Sequence, residues 1–395
     1  MIHTLLFSTL YPSSVRPGHG IFVETRLQHL LNSRQVVTRV VAPVPWFPFR
    51  HKVFGKYATH ASIPKEETFN GIRIEHPRYL LLPKIGMNSA PYSLARTGLS
   101  VAKRLIASGY DFDLIDAHYF YPDGVAATII GKALCKPVVI TARGSDINLI
   151  AQYKTPRKLI LQAAQECAAI ITVSTALKEA IVGFGGTAQK TTVLRNGVNL
   201  DLFRPQERQP ARSSFGMNDR FVIVSVGNLI ELKGHHLVIE ALKQIPDATL
   251  YIAGAGVEEA SLRTLADRLG LAERVIFLGL LPQTRLADLY SAADCLVLAS
   301  SREGWANVLL EAMACGTPVV ATKVGGTPEL VTSPAAGVMM HERSPAGILR
   351  GVANLRAVLP ERSTTRTYAE QFSWQATTDG QLGIFERIVK SRQHA

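Results

Sequence analysis

The chain has 395 residues, 47% of them apolar and 19% charged, which excludes disorder and suits two domains of similar size. Its formal charge of +12 is uneven: residues 1–200 hold 23 Lys/Arg against 11 Asp/Glu, and residues 201–395 hold 20 against 20. No uncharged apolar run reaches the roughly 18 residues that a spanning helix needs, so no spanning helix is expected.

The opening Met1–Leu10 has no basic leader and reads as a first strand, Ile2–Ser8. Helix Phe22–Asn32 and strand Val36–Ala42 follow. Next come short apolar runs at Leu114–Ala117, Pro137–Thr141 and Ala169–Val173, separated by helical stretches Ser93–Ala107, Gly124–Lys132 and Pro156–Glu166. Apolar strands of this length alternating with helices predict βαβ units around a parallel sheet. The stretch Asn199–Gly216, rich in Pro and charge, reads as a linker. The alternation then restarts with strands Phe221–Val226, Thr249–Ala253, Val275–Leu278, Cys295–Ala299 and Pro318–Ala321. Helices are expected at His236–Leu242, Glu258–Leu269, Arg285–Ala292 and Val308–Ala314. The expected fold is α/β, with two Rossmann-like doubly wound domains, residues 1–204 and 205–374, facing a central cleft. A last helical stretch, Asp379–Val389, is expected to cross back onto the first domain. Ligands of such sheets sit beyond the carboxyl ends of the strands, which places a site in the loops there.

The most informative segment runs from Ser300 to Pro318. Gly316 fits the left-handed position after a helix and Pro318 cannot continue one, so the helix starts near Asn307–Leu310. The backbone N–H groups of its first turn, around Asn307, Val308 and Leu309, make an anion site. Glu303 precedes that turn and Glu311 lies within the helix. Carboxylates suit paired hydroxyls and repel bare phosphate, so two of them around an anion site suit ribose, diphosphate and sugar in one ligand.

These residues carry a resemblance. Glu303 and Glu311, with seven residues between them, match the E-x7-E motif of the retaining glycosyltransferases of family 4, which have the GT-B fold. The runs Gly316–Val320 and Val324–Leu330 resemble the same family, and the likeness extends over nearly the whole chain. It implies that Glu311 binds donor ribose, that Glu303 lies by the donor sugar, and that the backbone of Asn307–Leu309 contacts sugar and phosphate. Val226–Gly234 resembles the family's diphosphate-binding segment, with Lys233 as the cation on the phosphates. The family often has Arg where this chain has Asn228, which leaves Arg143 or Arg195 to supply a second cation. His118, at the end of the strand Leu114–Ala117, matches the family's active-site histidine. Gly18 and Gly20 open the first helix where backbone can approach phosphate.

Three patterns are set aside. Asp111-Phe-Asp113 has a metal-binding spacing but sits in a turn before a strand. Gly254-Ala-Gly256 lacks the third glycine of a dinucleotide fingerprint. His235 and His236 are adjacent and project to different faces. No essential metal is expected, and no cofactor apart from a nucleoside-diphosphate sugar as donor substrate. The four cysteines lack disulfide or metal spacing and suit a reducing compartment.

The basic first half calls for an anionic partner. Aromatic and basic residues mix in Ala42–Tyr57 and Arg78–Lys84, as suits a bilayer interface or a buried loop. Together these imply a cytoplasmic enzyme, peripheral on the inner face of the cell membrane. It would move a sugar to a hydroxyl of a glycan or lipid-linked acceptor in bacterial surface polysaccharide synthesis. The rivals are another GT-B enzyme, an epimerase or phosphorylase, and a basic nucleic-acid-binding protein; no nucleic-acid-binding module is recognisable.

Overall fold

The structure, a computed structural model, describes residues 1–81 and 86–393. The chain divides into two compact units, Met1–Arg195 with Gln375–Ala395, and Asn196–Trp374. The first crossing falls between Arg195 and Asn196, not near residue 205. The stretch 199–216 therefore lies within the second unit and is no linker. Arg366 holds it there by donating to the carbonyls of Leu200 and Phe203, and residues 208–213 form a short helix. The division sharpens the charge asymmetry. The first unit carries 26 Lys/Arg against 13 Asp/Glu, the second 17 against 18.

The first unit is built on an eight-stranded sheet. Its order is Thr191–Val193, Ala169–Thr172, Val138–Ala142, Leu114–His118, Ile2–Phe7, Val36–Val41, Ile72–Glu75 and Glu66–Phe69. All neighbours are parallel except the last pair, an antiparallel hairpin. The strand order reverses direction around Ile2–Phe7, next to Leu114–His118, so the chain's connections part there and leave room above the strand ends. Leu6, Val23, Leu27, Val40, Leu114 and Val139 form its core, together with Leu382, Ile384 and Phe385 from the helix Gln375–Gln393. That apolar burial is why the C-terminal helix belongs to the first unit.

The second unit has a six-stranded all-parallel sheet in the order Val275–Gly279, Ala248–Ala253, Phe221–Val226, Cys295–Leu298, Val319–Thr322 and Gly337–Met340. Its strands are mostly apolar, as in parallel sheets with helices over both faces. Helix Asn307–Ala314 ends as its sequence requires, with Gly316 at φ +79° and the N–H groups of Gly316 and Thr317 returning to Met313 and Ala312.

Candidate active site

In the second unit, three loops converge at the carboxyl edge of the sheet. The strand Phe221–Val226 ends in Gly227, and the chain passes through a 3-10 turn, Glu231–Lys233, to Gly234 and helix His235–Leu242. The strand Cys295–Leu298 leads through Glu303 into helix Asn307–Ala314. Lys233 Nζ meets Glu303 Oε1 at 2.6 Å, with only 19% and 10% of the two side chains exposed. One loop thus presents a cation and the next a carboxylate, side by side and partly withdrawn from water.

Glycines make this convergence possible. Gly234 has φ +70°, and a Cβ there would lie 2.2 Å from the Ala299 carbonyl oxygen. Gly325 has φ +52°, and its Cβ would lie 1.7 Å from the carbonyl oxygen of Glu303. Each lets one loop press its backbone against another.

No side chain caps the start of helix Asn307–Ala314, which follows Ala306. Asn307 Oδ1 accepts from Asn196 Nδ2 at 3.2 Å, and Trp305 Nε1 donates to the Asn196 carbonyl at 3.1 Å. The helix start is thereby braced against the first residues of its own unit. Val308 is partly exposed and Leu309 is buried, so their backbone, more than their side chains, can serve a ligand. Glu311, one turn into the helix, accepts from the Tyr290 hydroxyl at 3.0 Å. Desolvation pushes its carboxyl up to about 7, against the pull of that hydrogen bond.

Asn228 contributes its backbone to this edge. His235 Nε2 lies 3.3 Å from the Asn228 carbonyl, and Nδ1 lies 2.8 Å from Ser225 Oγ. A carbonyl can only accept, so Nε2 carries the hydrogen and Nδ1 accepts from the serine. Burial drives His235 down to about 4, which keeps it neutral. Arg343 braces the same loops, donating to the carbonyls of Ala299 at 2.9 Å and Glu231 at 3.1 Å. Sequence reasoning passed over Asn196, Tyr290, His235 and Arg343. Only the adjacent histidines gave a signal, and they were weighed as metal ligands.

In the first unit, His118 ends its strand and is 1% exposed. Arg143 NH2 donates to His118 Nδ1 at 2.6 Å, and His118 Nε2 lies 3.2 Å from Asp116 Oδ2. Asp116 Oδ2 also accepts from Gln381 Nε2 at 2.9 Å, and Gln381 Oε1 accepts from Arg26 Nε at 2.7 Å. Guanidinium groups only donate, so the bonds run inward from Arg143 through His118 and from Arg26 through Gln381, and both chains end on Asp116. Desolvation, with Arg143 adding to it, drives His118 down to about 4 despite Asp116. Burial likewise pulls Arg143 well below its ordinary value. Arg143 therefore holds His118 and is not presented as an isolated phosphate cation. Asp116, Gln381 and Arg26 were invisible from motif spacing, because Arg26 and Gln381 are 355 residues apart.

Arg195 is exposed and donates to Thr175 Oγ1 at 3.3 Å, while its carbonyl accepts from Thr377. Of the two glycines, Gly20 has φ +68° and packs where a Cβ would come within 2.3 Å of Leu10. Gly18 is exposed and meets nothing within 4 Å, so space does not require a glycine there. The structure thus gathers Lys233, Asn228, Glu303, Asn307, Val308, Leu309 and Glu311 in one unit, and Gly18, Gly20, His118, Arg143 and Arg195 in the other.

The three patterns set aside also have structural duties. Asp113 caps the His3 N–H at 2.8 Å and Asp111 pairs with Lys136 at 2.6 Å. Gly254 and Gly256 pack against the Gly227 and Leu229 carbonyls. The aromatic loop is exposed: Trp46 is 54% and Phe49 56% accessible, and Phe47, Phe49, Phe54 and Tyr57 form a ring cluster. The end of the second aromatic–basic segment, 82–84, lies outside the described residues. No described helix is long and apolar enough to cross a membrane.

Two doubly wound units, with a cation, two carboxylates and an uncapped helix start at one sheet edge, define a glycosyltransferase of GT-B architecture. The chain belongs to the family 4, or group 1, glycosyltransferases. The model of Glycosyltransferase Family 4 matches residues 51–202, and that of Glycosyl transferases group 1 matches residues 207–372. TuaC of Bacillus subtilis, named for a glycosyltransferase role in teichuronic acid biosynthesis, is 30% identical over 82% of each chain. A D-inositol 3-phosphate glycosyltransferase of Mycobacterium marinum is 37% identical over 50% of this chain and 45% of its own. Among solved structures, a sucrose-phosphate synthase from Thermosynechococcus elongatus shares the fold with a TM-score of 0.78 at 19% identity. That match covers 99% of this chain and 100% of the synthase. HepE of Anabaena, solved with UDP-glucose, shares it with a TM-score of 0.72 at 21% identity over the whole of both chains.

Proposed function

We propose that this protein is a retaining hexosyltransferase that moves a sugar from a nucleoside diphosphate to a hydroxyl of a glycan or lipid-linked acceptor in bacterial surface polysaccharide synthesis. The observation that carries the donor half is the Lys233–Glu303 pair at 2.6 Å, beside a helix start with no side-chain cap and with Glu311 one turn further on. Lys233 and the first-turn N–H groups take the diphosphate and neutralise the charge that develops as it leaves. Glu311 accepts from the ribose hydroxyls and Glu303 from the donor sugar. Tyr290 orients Glu311, and His235 holds the Asn228 carbonyl in place. Within the first unit His118, neutral and fixed by Arg143, is assigned to a sugar hydroxyl. The reaction takes no essential metal and no cofactor beyond the donor substrate.

The acceptor half rests on the first unit's excess of basic residues and on its exposed aromatic loop. Trp46 and Phe49 stand next to Arg50, His51 and Lys52, all exposed. That composition suits the anionic inner face of a cell membrane, with the enzyme cytoplasmic and peripheral. The name of TuaC supports a surface-polysaccharide acceptor, and the UDP-glucose bound to HepE puts UDP-sugars first among donors to try. Thermal-shift titration against UDP-, GDP- and ADP-sugars tests the reading. A stabilising donor is expected, and Glu311→Gln should abolish the shift. Near wild-type donor affinity in that variant would sink the assignment.

A further inference from the structure

The strands Leu114–His118 and Val138–Ala142 run side by side, with His118 opposite Thr141. The sheet's ladder gives out at Tyr119, whose N–H donates to the Thr141 carbonyl at 2.9 Å. Beyond it the two chains part into separate loops, yet Arg143 in one must still reach His118 at the end of the other. Something other than sheet pairing holds the loops together.

Asp146 is fully buried and follows Arg143 by three residues. Its Oδ2 accepts from the Phe120 N–H at 2.7 Å, on the loop that carries His118. On its own loop the carboxylate accepts from the Gly144 N–H at 2.7 Å and from the Arg143 N–H at 3.1 Å. One side chain therefore grips the backbone of Arg143 itself and the backbone two residues past His118. Burial raises the Asp146 carboxyl, and these backbone N–H bonds pull it back. Its charge also favours the cationic form of Arg143, which burial opposes.

Tyr119 gives an independent sign. Its backbone sits at φ +82° and ψ +112°, a region that residues with a side chain rarely enter. Such strain persists only where the surroundings over-determine it, and it gathers at functional sites. Tyr119 is held by its N–H on Thr141, by its hydroxyl on Ser145 Oγ at 2.7 Å, and by Asp146 on the next N–H.

We propose that Asp146 is a positioning residue for the transfer reaction: it locks the two loops so that Arg143 meets His118 Nδ1, and it keeps Tyr119 strained in doing so. The inference rests on the reading that His118 serves a sugar hydroxyl, and it adds what sets that histidine in place.

Asp146→Asn keeps the shape of the side chain but loses its charge and one acceptor oxygen. In nitrogen-detected NMR the His118 titration point should rise and its single tautomer should be lost, although Arg143 is still present. Hydrolysis of UDP-glucose should fall about tenfold or more well below the melting temperature, with UDP-glucose affinity within about twofold of wild type. Unchanged His118 signals, or turnover lost only in step with melting temperature, would overturn the proposal. Tyr119 supplies a second arm that leaves Asp146 intact. Tyr119→Gly and Tyr119→Ala lose the same ring and hydroxyl, and differ in the cost of a positive φ. The glycine variant should melt higher than the alanine variant, the reverse of the order at a relaxed site. Equal melting, or a higher value for alanine, would overturn the lock, as would a glycine advantage that survives when Asp146→Asn is added. A wild-type chain that binds no UDP-, GDP- or ADP-glucose overturns the transferase reading alone, since the NMR and melting arms need no substrate.

Discussion

Arg143 donates from its guanidinium to Nδ1 of His118 at 2.6 Å, and this one bond settles which histidine nitrogen holds the proton. A guanidinium has no acceptor to offer, so Nδ1 is bare and Nε2–H faces Asp116. His118 should therefore stay neutral well below pH 6, its protonation held down to about 4 by burial and by Arg143. In nitrogen-detected NMR, Nδ1 should show the shift of an unprotonated nitrogen at pH 6. Arg143→Met should release the tautomer and raise the titration point. An imidazolium signal at pH 6 in the wild type would contradict the bond.

The same histidine shapes stability against pH. Its folded value lies below the ordinary value of 6.5, so between pH 6.5 and about 4 the unfolded chain takes a proton that the folded chain refuses. Stability must fall as the pH falls through that window, by about 1.4 kcal/mol per pH unit for each such group. His19 and His235 are driven down to about 4 as well, both first by burial. Denaturant titrations from pH 7 to 4 should show a slope of more than one proton, and His235→Gln should reduce it by about one.

Glu311 titrates with the opposite sign. Desolvation raises it from 4.5 to about 7, so the folded chain keeps a proton between those values that the unfolded chain has lost. Its contribution to stability is present below pH 4.5 and disappears as the pH rises through about 7. Ribose hydroxyls call for the ionised form, so donor affinity should climb as the pH passes 7. Tyr290→Phe removes the hydrogen bond that favours the carboxylate, and should move that climb to higher pH. Isothermal titration with the stabilising nucleotide-sugar from pH 6 to 8.5 measures both shifts.

How far the residues alone foretell this site depends on distance along the chain. The strand–loop–helix at Cys295–Ala314 is local, and its cap glycine, proline and two glutamates could be read directly. The inner strands of both sheets followed from alternating apolar runs, whereas the edge strands Thr191–Val193 and Gly337–Met340 were missed. The hairpin Glu66–Phe69 with Ile72–Glu75 was missed, because its half-exposed strands carry charge and only four residues each. The crossing at Arg195 was hidden too: 199–216 looks like a linker until Arg366, far downstream, is seen to hold it. Arg143 beside His118 and Tyr290 beside Glu311 come from other elements, so only the folded chain reveals them. Arg143, one of the two cations considered for phosphate, donates to a histidine that motif spacing does not pair with it.

Gln381 shows what that long-range dependence implies. Its amide joins Arg26 to Asp116, so the C-terminal helix reaches the carboxylate that faces His118. Gln381→Leu leaves two buried polar groups without that bridge, at about 1–3 kcal/mol each. Gln381→Glu restores an acceptor for Arg26 but offers Asp116 no donor. The leucine variant should melt several degrees lower and lose turnover, whereas the glutamate variant should keep most of the stability and still lose turnover. Parallel measurement of melting temperature, KM and kcat separates the outcomes. If both variants lose activity only in proportion to stability, Gln381 merely packs the helix and does not position His118.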